Sequence, residues 1–315
     1  MQEEDAVQDG AQDGARDGAR DGAVDGRAPG WARERLAERG VAVLAAELVK
    51  HRPWSTVWRL STPDGPVWLK ACPGATRHEV RLLEALARWR LPHALPPLAV
   101  DAERGRVLLP DGGPTVREVA PADAGAAARR WADVLAGYAQ VQAASTAHAD
   151  DLVALGVPDL RLPVLPEVAA ELVRRWAPQV RDQLPRLREE AAELAELGPA
   201  AALQHDDLHD GNVFAAGGRP FDWGDACVAH PFTSLLVALD VPDPAPARRA
   251  YLAQWAAAGW APADARAAER AVELGVRLGR VTRAHSWARA LAAWPAPPEP
   301  FADAPGWWLR TLSGS

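Results

Sequence analysis

Lysine, cysteine, methionine and tyrosine are all scarce in this chain, and long apolar runs are missing. Two cysteines, Cys72 and Cys227, define no disulfide framework, so a reduced, cytoplasmic setting is expected. No apolar run approaches the roughly 20 residues needed to span a bilayer, and no membrane association is expected. The acidic N-terminus lacks the apolar stretch of a signal peptide, which argues against export. Basic residues are not clustered as a nucleic-acid footprint requires. The lysine shortage is the most pointed of these features. Among 35 basic residues only Lys50 and Lys70 are lysines, so an ammonium group is an exception here. Planar arginine does not replace that compact point charge where it must fit among several anionic groups.

What is present describes a globular protein with a charged tail. The chain has 315 residues, 48% hydrophobic and 24% charged, enough for two lobes around separate cores. Residues 1–30 hold eight acids and three arginines, a net of −5 out of a formal −7, which leaves −2 for the remainder. Residues 9–26 repeat Asp, Gly and Ala with a period of four. That composition has no apolar face to bury, and a disordered tail over residues 1–29 is expected. The Asp spacing fits neither an EF-hand loop nor a glycine-rich calcium repeat.

From Trp31 the pattern becomes structured. A short helix is expected over Trp31–Arg39, then strands over Glu47–His51, Thr56–Ser61 and Pro66–Ala71, the last two joined by a turn at Thr62–Gly65. An amphipathic helix follows over Ala75–Arg90, then two strands over Leu98–Asp101 and Arg106–Leu109. Pro110–Pro114 breaks the pattern as a hinge. Beyond it the chain reads as helices over Ala124–Ala144, Pro166–Ala177 and Gln183–Leu197, with more between Pro244 and Ala293. The exception is an island at Ala201–Asp225.

That island holds the chemistry. It reads Gln204-His205-Asp206-Asp207-Leu208-His209-Asp210-Gly211-Asn212, and Asp222-Trp223-Gly224-Asp225 follows after a short hairpin. A carboxylate base with a metal-ligating Asn five residues on, then a metal-ligating Asp beyond a hairpin, is a phosphoryl-transfer layout. If residues 212 and 222 pair, the turn centres on Gly217 and the side chains of Asn212 and Asp222 stand roughly 4.5–5.5 Å apart at their Cβ atoms. Oxygen donors so placed suit magnesium. His205 and His209 flank Asp207 and are read as structural rather than as general bases. In the first half of the chain Lys70 ends a strand, and Glu79 shares the apolar stripe of the next helix with Leu82, Leu83 and Leu86. A carboxylate on a buried face needs a cation, and Lys70 is the nearest sensible one, with Arg77 and Arg81 as competitors.

Lys70, Glu79, the His205-x-Asp207-Leu208-His209-x-Gly211-Asn212 loop and Asp222-Trp223-Gly224 together resemble the aminoglycoside phosphotransferase family over roughly residues 40–290. These are small-molecule kinases with a protein-kinase-like fold. The resemblance implies an α+β chain of two lobes. Residues 30–110 would form a small β-rich nucleotide-binding lobe, and residues 111–315 a larger, mostly helical catalytic and substrate lobe. It further implies that Lys70 holds nucleotide phosphates with Glu79 orienting it, that Asp207 is the base, and that Asn212 and Asp222 hold Mg2+. Val107–Asp111 would be the hinge against the base of ATP or GTP. Two departures stand out. Asp206 occupies a position that is usually Gly in the family, and Arg52-Pro53-Trp54-Ser55-Thr56 replaces a glycine-rich loop, with Ser55 and backbone amides as phosphate contacts.

The expected partner is a small-molecule hydroxyl acceptor: an antibiotic, a sugar or an amino alcohol. Residues 241–315 carry six acids and nine arginines, a net of +3, which counts against a polycationic acceptor. Trp255, Trp260, Trp287, Trp294, Trp307 and Trp308 lie in the same stretch and are read chiefly as core. Two other readings remain open at this point. One is a metal-dependent hydrolase using His205, Asp207 and His209; the other is a non-catalytic nucleotide-binding module. Oligomeric state is not addressed by the sequence.

Overall fold

The protein is described here from a computed structural model covering residues 28–299 and 301–313. The Asp-Gly-Ala repeat lies outside these residues, and Ala28 and Pro29, assigned above to the tail, open the first helix, α1 (Ala28–Ala37). Three antiparallel strands follow: β1 (Ala45–Arg52), β2 (Ser55–Thr62) and β3 (Gly65–Ala71). Helix α2 (His78–Arg88) leads to β4 (Ala99–Asp101) and β5 (Arg106–Pro110), which complete one sheet of order β1-β2-β3-β5-β4. Along β2 the residues alternate between buried and half-buried, as period-two patterning requires of a sheet covered on one face.

The helical lobe starts after Asp111–Pro114. It comprises α3 (Ala124–Ser145), α4 (Ala149–Ala154), α5 (Leu165–Trp176) and α6 (Leu184–Leu197). The island supplies β6 (Ala202–Gln204), the hairpin β7 (Val213–Phe214) and β8 (Arg219–Pro220), and β9 (Cys227–Ala229), which pairs back onto β6. Then come α7 (Leu235–Ala238), α8 (Ala245–Ala257), the 27-residue α9 (Ala265–Leu291) and α10 (Ala304–Arg310). Asp123 and Asp264 cap α3 and α9 by accepting from the amides of Ala126 and Ala267. No helix among the described residues is long and apolar enough to cross a membrane.

The two cores divide differently from the two lobes. A small core lies between α1 and the sheet, built from Ala32, Leu36, Trp58, Leu60 and Leu69. The large core runs without a break from α2 into the helical lobe, joining Val80, Leu82 and Leu86 to Leu135, Tyr138 and Leu203. Helix α2 therefore belongs to the β-rich lobe in sequence and to the helical lobe in packing. This continuity fixes Glu79, on the same helix, relative to the island.

Candidate active site

The island forms a loop clamped from below. The Tyr138 hydroxyl accepts from the His205 amide at 2.8 Å and contacts Ser234 Oγ at 2.8 Å. Ser234 and Gln142 both donate to Gln204 Oε1, at 2.7 and 2.6 Å, and Tyr251 donates to Gln142 at 2.6 Å. Each of these buried polar groups is satisfied by another, so the network holds the loop in one conformation. His205 donates through Nε2 to the Phe221 carbonyl at 2.7 Å and packs against Trp223. Burial lowers its pKa and keeps it neutral.

Asp206 and Asp207 part company at this point. Asp206 has φ 64°, the left-handed region that Gly enters freely and Asp or Asn enters more readily than other residues. That conformation explains why a glycine suits this position. Its side chain is buried, accepts from Thr282 Oγ1 at 2.5 Å, and leaves Oδ2 without a partner. Burial raises its pKa to about 7 despite the nearby Arg283. Asp207 instead faces the cleft. Its Oδ1 lies 3.0 Å from Arg283 Nη2, and its Oδ2 accepts from Asn212 Nδ2 at 3.2 Å. His209 Nδ1 accepts from the Gly211 amide at 3.0 Å, so the ring proton is on Nε2, 3.8 Å from Asp207 Oδ2.

The hairpin register differs from expectation. Val213 pairs with Pro220 and Phe214 with Arg219, so Asn212 faces Phe221, whose amide donates to the Asn212 carbonyl at 3.0 Å. The turn is thus the four residues Ala215–Gly218, with both glycines at positive φ, 76° and 58°. It is not an odd-length turn centred on Gly217. Asp222 falls one position beyond the pairing, and a one-residue shift in a strand reverses the side chain's face. Asp222 leaves the strand at φ 62°, ψ 61°, and its carboxylate turns into the cleft beside Lys70.

Lys70 and Glu79 meet as expected. Lys70 Nζ lies 2.8 and 2.7 Å from the two Glu79 oxygens and 2.5 Å from Asp222 Oδ1. Glu79 also accepts from the Trp223 amide at 3.1 Å and from Cys72 Sγ at 3.3 Å. Burial opposes the Lys70 charge, but the carboxylates of Asp222 and Glu79 outweigh it and raise its pKa well above the ordinary lysine value. Burial likewise works to raise Asp222. The charges of Lys70 and then Lys50 reverse this and hold it below the usual carboxylate range.

Two joined compartments result. A cavity of about 530 Å³ lies between the sheet and the Pro110–Pro114 segment, lined by Val57, Trp68, Leu109, Phe214 and Phe221. Phe214 and Phe221 stack at 4.2 Å, and a Cβ on Gly112 would sit 2.3 Å from the Phe214 ring, so only glycine fits there. A narrower cleft of about 110 Å³ holds Asp207, Asn212, Asp225 and Ser55. Lys50, Lys70 and Asp222 line both and mark their junction. Ser55 is buried at the start of β2, within this cleft.

Several residues of this site escaped the sequence. Arg283 Nη1 reaches Asp225 Oδ2 at 3.2 Å while Nη2 holds Asp207, and Ser286 Oγ donates to the Asp225 carbonyl at 3.2 Å. Arg283, Ser286, Trp287 and Ala290 of α9 line the cleft together, at the i, i+3, i+4, i+7 spacing of one helical face. Trp287 packs edge-on to Trp54 of the β1–β2 turn at 6.4 Å, and Trp294 lies 5.6 Å from Trp54. Trp255 and Trp260 pack on Phe232 as core, whereas Trp307 and Trp308 line a separate cavity of about 560 Å³ in the helical lobe. Among the described residues no group of three His, Cys, Asp or Glu side chains gathers to hold a metal.

The fold is two-lobed and of protein-kinase-like architecture, with residues 204–225 of the island at the cleft between its lobes. The chain belongs to the phosphotransferase enzyme family, whose model matches residues 50–266. Among solved structures it is similar to the macrolide 2′-phosphotransferase of Brachybacterium faecium (20% identity, 85% of this chain and 99% of that one, TM-score 0.54). It is similar also to the GDP complex of aminoglycoside 2′-phosphotransferase-IIIa (12% identity, 90% and 98%, TM-score 0.57). A third likeness is to the ethanolamine kinase of Plasmodium vivax (10% identity, 85% and 82%, TM-score 0.58). No match was found among curated protein sequences.

Proposed function

We propose that this enzyme moves the γ-phosphate of ATP or GTP to a hydroxyl of a small molecule, with Asp207 as the base. The observation that carries the reading is the orientation of Asp207, which lines the narrow cleft with its two carboxylate oxygens held by Arg283 and Asn212. Asp207 accepts the acceptor's hydroxyl proton as that oxygen attacks the γ-phosphorus, the bond to the β,γ-bridging oxygen breaks, and the nucleoside diphosphate departs. Lys70, oriented by Glu79, holds the phosphates. The apolar compartment takes the nucleoside, and Ser55 lies at the turn over the phosphate path.

Asn212 and Asp222 fit a magnesium site. Asn212 spends its amide nitrogen on Asp207, which leaves its amide oxygen for another partner, and Asp222 supplies an ionised carboxylate. When bound there, Mg2+ would neutralise phosphate charge. The hydrolase reading is disfavoured because His205 is fully buried with Nε2 committed to the Phe221 carbonyl, and among the described residues no three His, Cys, Asp or Glu side chains gather to hold a metal. A merely nucleotide-binding module would give no reason for Asp207 to be held from both sides.

Trp54 and Trp287 wall the acceptor side of the cleft, which suits antibiotics, sugars or amino alcohols that pack on an aromatic face. The acceptors in the names of the similar structures, macrolide, aminoglycoside and ethanolamine, span the same range. The test is a nucleotide-consumption screen across those three classes, run with ATP and with GTP, with and without Mg2+. Acceptor-dependent, Mg2+-dependent consumption is expected. Release of inorganic phosphate that no acceptor changes would refute the reading.

A further inference from the structure

The chain's two lysines stand on one face of one sheet. Lys50 pairs with Val57 across β1–β2, and Val57 pairs with Lys70 across β2–β3, so the three residues form a row. Residues paired across strands project to the same face, and two strands apart is about 10 Å between backbones. The pairing of β1 is not regular at this point. Leu48 faces Trp58 but Lys50 faces Val57, so Val49 is an extra residue, a bulge. Bulges re-aim the side chains that follow them. Without it, Val49 would face Val57 and Lys50 would turn to the sheet's other side. The bulge is what brings the second lysine over the cleft.

The two ammonium groups differ in their company. Lys70 is shared between Glu79 and Asp222, and Arg283 between Asp207 and Asp225. Among the described residues Lys50 forms no ion pair or side-chain hydrogen bond, although it lines both compartments at their junction. Its charge reaches Asp222 only at longer range. In the narrow compartment, where Lys70 and Arg283 are matched by carboxylates, an unmatched ammonium suits an incoming polyanion.

We infer that Lys50 is a second phosphate-binding lysine, contacting the β- and γ-phosphates of the nucleotide from β1, two strands across the same sheet face from Lys70. This rests on the phosphotransferase reading above. The junction position selects the outer phosphates, since the nucleoside compartment lies on one side and Asp207 on the other. The contact is a binding one and needs no proton transfer.

The experiment is calorimetric titration of the full chain and of Lys50→Met with ATP, ADP and AMP in the presence of Mg2+. Lys50 is half-buried and unpaired, so the variant is expected to fold; Lys50→Gln carries the same prediction should Lys50→Met not do so. The expected result is an affinity loss on the order of 10-fold for ATP, with AMP affected by less than about 2-fold. ATP binding that is unchanged in the variant, or an equal loss for ATP and AMP, overturns the inference. The unmodified protein separates the two levels. If it binds no ATP or GTP at all, the phosphotransferase reading fails; if it binds them and ignores Lys50, only this inference fails.

Discussion

The two compartments of the cleft are built on opposite principles. The wider one is an apolar slot whose walls, Val57, Leu109, Phe214 and Phe221, come from strands and a hinge packed edge to edge. The narrow one is crowded with charge: Asp207, Asp222, Asp225, Lys70 and Arg283. In the first, shape decides what fits, and the penalty for error is steric. In the second, each of these five ions is held by its neighbours, and removing one strands another in a poorly hydrated place. The same cleft should therefore respond to substitution in two different ways.

The largest break in that contrast is expected at Arg283. Its guanidinium is buried and joins Asp207 to Asp225. Arg283→Ala is expected to cost about 3–5 kcal/mol of stability in denaturant titrations. Arg283→Lys should recover only part, because a point charge does not span both carboxylates as a planar fork does. A loss below about 1 kcal/mol would show that the charged compartment is not held together as described.

Asp206 sharpens the comparison through pH. Its folded pKa of about 7 lies above the ordinary carboxylate value, so the folded chain binds a proton that the unfolded chain gives up earlier. That favourable contribution is complete below about pH 4 and is lost as pH rises to about 7. Asp206→Asn keeps a residue tolerant of positive φ and cannot ionise. Its stability relative to the parent should improve between those pH values, by up to about 4 kcal/mol, and then level off. Parallel stability curves across that window would contradict the buried-carboxyl account.

The apolar compartment should respond least, and without pH dependence. Gly112→Ala drives a methyl into the Phe214 ring, which must shift along with Phe221. A cost of about 1–3 kcal/mol is expected, with weaker nucleoside binding and turnover at saturating nucleotide largely kept. Titration with nucleotide and steady-state rates check both halves. A fall in saturated turnover with affinity intact would contradict the assignment of this compartment.

Legibility in the sequence follows the range of the contacts. Lys70 and Glu79 were readable because strand alternation and a helical stripe are local patterns, and a buried acid must meet a base. The fold class followed from the order of strands, hinge and helices. The hairpin register was missed by one because Ala215-Ala216-Gly217-Gly218 admits more than one turn length, and nothing local reveals that both glycines adopt left-handed conformations. Asp222 reaches the cleft through a backbone conformation rather than through strand pairing. Arg283 was invisible for a different reason. Its helical face can be seen in the sequence, but its partners lie 76 and 58 positions away, and one arginine among many carries no mark. Lys50 had the mark of rarity, yet its direction depends on a bulge that strand patterning does not foretell.

The most direct test is Asp207→Asn, assayed for nucleotide binding and for phosphoryl transfer in the same preparation. Turnover is expected to fall by roughly 10²–10⁴-fold while nucleotide affinity stays nearly unchanged. Full transfer activity in that variant would contradict the assignment of Asp207 as the base.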